Sequence, residues 1–169
     1  MRIEQLLLSG SLGQWASATN PVEAPDLVIY FGATDLIADG RAFAGLRARF
    51  PRALIAGASA GSLIRPMAVD DDIAVATAVK FDATRVRGTT EPIASVEDSF
   101  ACGERLAWAL REDDLAAVFV LSDGLAVNGT LLVEGLVSVL GSSVPISGGL
   151  AGDGARFERT LVGLGDTPQ

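Results

Sequence analysis

Asp26-Leu27-Val28-Ile29-Tyr30-Phe31-Gly32-Ala33-Thr34-Asp35 is a continuous apolar run that ends in glycine and then in small and acidic residues. Successive large apolar side chains, β-branched ones among them, suit a strand covered on both faces, the place of a central strand in an α/β layer fold. Three further runs end in the same way. Ala53 to Ala56 leads into Gly57-Ala58-Ser59-Ala60-Gly61-Ser62, Leu115 to Leu121 into Ser122-Asp123-Gly124, and Val144 to Ile146 into Ser147-Gly148-Gly149-Leu150-Ala151-Gly152-Asp153-Gly154. Such loops let a ligand approach the backbone closely and offer N–H groups to its anionic end.

Helical spacing fills the intervals. Phe43, Leu46 and Phe50 fall on one face of Arg41 to Phe50, which Pro51 stops. Ser95-Val96-Glu97-Asp98 reads as a helix start, followed by Phe100, Gly103, Ala107 and Leu110, and Asn128 as a cap for Leu132, Leu136, Val139 and Leu140 before Gly141. Ile73 to Phe81 and Thr84 to Glu91 read as a hairpin turning at Asp82-Ala83, and Thr160 to Leu164 as the last strand. The expected fold is α/β: a mixed parallel/antiparallel β-sheet core flanked by helices in a layered sandwich, one domain over residues 1–169 with a single core.

Composition narrows the function. A hydrophobic content of 49% with 20% charged residues argues against disorder, and no apolar run approaches the length of a membrane span. The opening residues lack a cationic stretch before a long apolar one, so no signal peptide is expected and the location is read as cytoplasmic. A net charge of -8 opposes a nucleic-acid partner. Asp70-Asp71-Asp72 reads as a solvated turn, because the alternating ligand spacing of a calcium loop is missing. Cys102, the single cysteine, falls among apolar neighbours and reads as a buried, inert thiol.

Gly57-Ala58-Ser59-Ala60-Gly61 fits the Gly-x-Ser-x-Gly pattern of a nucleophile elbow, but a serine needs a base and the chain has no histidine. Lys80, the one lysine, lies in a strand-like run with no sign of proximity. The chain is therefore read as a non-catalytic binding domain. Ser147 to Gly154 has neither the Gly-x-Gly-x-x-Gly spacing nor a Walker lysine. Its bland reading is a tight backbone crossing. Asp123 reads either as turn chemistry or as an acceptor for a ligand ammonium, and Arg65 either as a surface cation or as a partner for a ligand carboxylate. The candidate ligand-binding residues are Gly57, Ser59, Gly61, Ser62, Asp123, Gly148, Gly149, Gly152 and Asp153, with the loops of Ser59, Asp123 and Asp153 expected to meet at one sheet edge.

The strand Asp26 to Phe31, Phe50-Pro51 leading into Ala56 to Gly61, Ser122-Asp123-Gly124-Leu125, the Leu132 to Leu140 helix with Gly135, and Pro145 to Asp153 together resemble the N-terminal domain of the FIST family, sensory modules of microbial signalling proteins. The resemblance implies binding of a small polar, amino acid-like ligand and transmission to a histidine kinase or cyclase. It also implies a companion C-terminal FIST domain, so the chain is expected to be incomplete at its C-terminal end. The alternative is a structural module that docks that companion. Some relatives are linked to haem, but with no histidine only Cys102, Met67, Met1 and Tyr30 remain as axial ligands, and no cofactor is expected.

Overall fold

A computed structural model describes residues 1–9, 13–65 and 68–169, the side chains of Ser9, Arg65 and Ala68 excepted. In chain order the elements are β1 (Arg2–Ser9), β2 (Ala16–Ser17), β3 (Leu27–Gly32), α1 (Thr34–Ala38), α2 (Arg41–Arg49), β4 (Leu54–Ser59), β5 (Leu63–Arg65), β6 (Ala68–Asp70), β7 (Ile73–Lys80), α3 (Ser99–Leu110), β8 (Val118–Ser122), α4 (Gly129–Leu140), β9 (Ile146–Leu150) and β10 (Val162–Leu164). They form two compact units, Met1–Val86 with Ala151–Gln169, and Arg87–Leu150. Each has its own cluster of buried apolar side chains, where the sequence led us to expect one core.

The first unit is built on a six-stranded mixed sheet in the order β10-β4-β3-β7-β1-β2. Only β3 and β4 run parallel, because α1 and α2 carry the chain back between them. Along β3, Val28, Tyr30 and Gly32 are buried while Leu27, Ile29 and Phe31 are half-buried. Val28 and Tyr30 join Leu6, Leu8 and Ile55 of other strands of the sheet and Ile37, Ala42, Leu46 and Phe50 from the helical segments in one cluster. In register, Gly32 lies opposite Ser59, so the loops after both parallel strands leave from the same edge of the sheet.

The hairpin expected at Asp82-Ala83 does not form. β7 is present, but residues 84–91 contain no strand, and β7 instead lies between β1 and β3, antiparallel to both. β1 is the better partner because Leu6 and Leu8 alternate on one face, whereas 84–91 carries Arg85, Arg87 and Gly88 with no apolar alternation. Glu4 obscures the β1 pattern: it points into the buried face, where Arg49 (2.5 Å), the Ser17 hydroxyl (2.6 Å) and the Val22 N–H (2.8 Å) all donate to its carboxylate.

Tyr30 lies over Gly57 of the adjacent strand, where an added Cβ would come within 2.2 Å of the ring, and Trp15 meets it edge-on at 6.4 Å. Its hydroxyl is buried and has no hydrogen-bond partner among the described residues, and burial pushes its pKa up. Tyr30→Phe keeps the ring and removes the orphan hydroxyl, so it is expected to leave stability unchanged or raise it by about 1 kcal/mol. Denaturant titration checks this, and a loss of similar size would mean that water pairs the hydroxyl.

In the second unit β8, α4 and β9 form a crossover that pairs the two strands parallel, Val118 opposite Ile146. This pair is a separate two-stranded sheet, although all strands were expected in one. β8 begins at Val118, three residues later than the apolar run suggested. α3 begins at Ser99 after a 3-10 turn at Val96–Asp98, and Ser95 makes no capping bond. Asn128 does cap α4, its side chain accepting from Leu131 N–H at 3.2 Å.

Candidate functional site

The shared edge of β3 and β4 opens into a cleft of about 270 Å³ in the first unit. Its walls are Ala33-Thr34-Asp35 after β3, Ala60-Gly61 after β4, Asp71-Asp72 between β6 and β7, and Asp153 to Arg156. Two of these segments cross at contact distance, since a Cβ on Gly61 would meet the Gly154 Cα at 2.8 Å. Glycine is required there for clearance, as the crossing-loop reading expected.

Asp153 organises the wall. Its carboxylate accepts from the Thr34 hydroxyl (2.7 Å), from Arg156 Nε (2.9 Å) and Nη2 (2.5 Å), and from the N–H groups of Glu158 (3.3 Å) and Arg159 (3.1 Å). The Thr34 hydroxyl foremost, then the Arg159 N–H, the Arg156 guanidinium and the Glu158 N–H, holds its pKa down at about 2 against the opposing effect of burial. The third nitrogen of Arg156, Nη1, reaches across to Asp35 Oδ2 at 2.9 Å. One guanidinium thus joins a buried carboxylate to an exposed one.

Of the nine residues singled out from sequence, Gly61 and Asp153 line this cleft. Ser59, Gly57 and Gly152 are not among the lining residues. The Ser59 hydroxyl is buried and accepts from Leu161 N–H at 2.9 Å, while its backbone is bonded to Leu161 and Gly152, so its chemistry is spent on holding the 152–161 segment to β4. Lys80 pairs with Asp26 at 2.6 Å, at the end of the sheet away from Ser59. Gly57 makes room for Tyr30, and Ser62 is exposed beyond the lining.

Asp123, Gly148 and Gly149 belong to the second unit. Asp123 Oδ1 accepts from the N–H groups of Leu125 (2.7 Å) and Ala126 (2.5 Å), the turn chemistry of an aspartate after a strand. Gly148 has φ +146° and no space for a Cβ, which would lie 1.8 Å from the Val120 carbonyl oxygen; Gly149 has open space around it. Cys102 is buried and burial raises its pKa. The Arg65 side chain and Met67 lie outside the described residues.

Sequence reasoning missed Thr34, Asp35, Asp71, Asp72 and Arg156 as site residues. The first two were read from composition as part of a loop but open α1, and the acidic pair stands in a turn that is exposed, as expected. Arg156 gave no signal that set it apart, because Asp35, the partner it reaches across the cleft, is 121 positions away; its other partner, Asp153, lies three positions before it. Among the described residues no group of three or more cysteines and carboxylates is arranged to hold a metal ion, and no helix is long and apolar enough to cross a membrane.

The family model described as the FIST N domain matches residues 26–169. Comparison with curated proteins and with solved structures finds no match.

Proposed function

Since the chain belongs to the FIST N domain family, a family of sensory rather than catalytic domains of signalling proteins, we propose that the cleft of the first unit binds a small zwitterionic, amino acid-like metabolite. The observation that carries this reading is the cleft's charge: Asp35, Asp71, Asp72 and Asp153 face it together with the single guanidinium of Arg156. Such a wall attracts an ammonium and offers one partner for an anionic end. A volume of about 270 Å³ lies below the roughly 300–1,000 Å³ usual for drug-sized ligands, which favours a small metabolite over a nucleotide or haem. Gly61, with Ala60 and Gly154, contributes close backbone approach, and Asp153 holds the cleft's shape while the bond from Gly152 N–H to the Ser59 carbonyl ties the neighbouring segment to β4. The signal passes to an output such as a histidine kinase or cyclase, in the cytoplasm.

A thermal-shift screen of the proteinogenic amino acids tests the reading. At a concentration of about a hundred dissociation constants, a bound ligand stabilises by about 2.7 kcal/mol, enough to move the melting temperature by several degrees. Ala155→Trp, at an exposed lining position, is expected to remove that response and leave the unliganded melting temperature in place. A response that survives this substitution would put the ligand elsewhere.

A second reading, docking of a companion C-terminal FIST domain, is favoured by one feature. Ile64 and Val69 lie opposite each other on β5 and β6 and are 85% and 66% exposed.

A further inference from the structure

Resting on the reading of the cleft as a ligand site, we propose that Arg156 anchors a carboxylate of the ligand and that Asp35 is a resident substitute for that carboxylate, displaced when the ligand enters. Two of the three guanidinium nitrogens are committed to Asp153, whose side chain is only 3% exposed and is itself pinned by Thr34 and by two backbone N–H groups. The plane of the guanidinium is therefore fixed before any ligand arrives, and Nη1 is turned to the cleft rim. The group it meets there is held by little else. Asp35 is 86% exposed, stands on a helix of five residues, and makes no other hydrogen bond among the described residues.

Exposed ion pairs of this kind exchange readily with solvent and with competing ions. A ligand carboxylate at the position of Asp35 Oδ2 would keep the charge-assisted bond to Nη1 and release Asp35 to water. Simple anions gain nothing by this, because Asp71 and Asp72 stand in the same cleft and repel them. An ammonium on the same molecule reverses that repulsion. The ligand class is consequently a compact molecule with both charges, and neither a bare carboxylate nor a bare amine satisfies the cleft. Asp35 then sets the threshold of response, as a competitor whose effective concentration never falls.

The opposite assignment, Asp35 as the acceptor of the ligand ammonium, predicts the reverse effect of neutralising it. The experiment is calorimetric titration of the whole chain and of Asp35→Asn with each proteinogenic amino acid and with its α-carboxamide analogue. The expected result is an amino acid that binds the wild type, binds Asp35→Asn about two- to fivefold more tightly, and loses binding by more than about tenfold when its carboxylate is an amide. Arg156→Lys is expected to lose affinity to a similar extent. If that variant fails to fold, the amide comparison in the wild-type chain asks the same question. Binding that is weakened or unchanged in Asp35→Asn overturns the competitor role while leaving the cleft a ligand site. An amide that binds as well as its acid overturns the anchoring role of Arg156. Absence of binding to both the wild type and Asp35→Asn overturns the reading of the cleft itself and this inference with it.

Discussion

Gly135→Ala is expected to destabilise the Arg87–Leu150 unit by about 3 kcal/mol, although the same change inside an exposed helix is ordinarily worth about 1 kcal/mol in the opposite direction. The reversal comes from what a Cβ would meet. At Gly135 on α4 it would lie 2.1 Å from the Phe100 carbonyl oxygen and 3.1 Å from the Glu104 nitrogen; at Gly103 on α3 it would lie 2.3 Å from the Leu132 carbonyl oxygen. These are backbone atoms of the facing helix, so no rotamer change relieves the clash. The helices must move apart, which loosens the packing of Cys102, Ala107, Leu132 and Leu136, the buried cluster of this unit. Gly103→Ala should behave alike. Gly129→Ala, at the start of α4 with 3.7 Å to the Leu150 side chain, is the control and should be neutral. Chemical denaturation monitored by Trp108, which lies in this unit, separates the outcomes. A gain in stability from Gly135→Ala would mean that the helices do not cross at this distance.

The contrast between Gly135 and Gly129 also marks the limit of what the sequence discloses. β3, β4, α2 and α4 were legible because each is specified locally, by an apolar run closed with glycine, by three- and four-residue spacing, or by a capping asparagine. β1 and its pairing with β7 were not. A strand whose inward face is Glu4, Leu6 and Leu8 reads as interrupted until Arg49 is known to pair with the carboxylate and Ser17 to donate to it, and those partners lie on other elements. The same physics governs the site. Glycine and aspartate after a strand announce a loop with open backbone, which brought Gly61 and Asp153 into view. The cation that completes the cleft is an arginine among thirteen lysines and arginines, set apart only by its bonds to Asp153 and, far off in sequence, to Asp35.

Asp153→Asn is expected to abolish the cleft's response to ligand and to lower the melting temperature by more than any exposed aspartate in the same cleft, Asp71→Asn serving as the reference. The carboxylate accepts on both oxygens, from Thr34 and Arg156 on one side and from the N–H groups of Glu158 and Arg159 on the other. An amide offers one oxygen and turns donors towards whichever group has lost its acceptor, so one side of the arrangement must open. If the backbone side opens, residues 157–159 detach, and Phe157, which has φ +55°, loses the bonds that follow it. If the Arg156 side opens, the guanidinium is no longer oriented. Acid should act as the substitution does. With its pKa held down at about 2, led by the Thr34 hydroxyl, against 3.8 in the absence of these partners, Asp153 takes up a proton in the unfolded chain before it does so in the folded one. Its contribution is therefore complete above about pH 4 and fades as the pH falls from about 4 through about 2. Urea titrations of wild type and Asp153→Asn across that interval should show a stability difference that narrows steadily towards the acid end. A difference that stays constant from neutral pH down to pH of about 2 would mean that the ionised carboxylate does not organise the cleft wall, because only a titrating charge makes the two proteins converge.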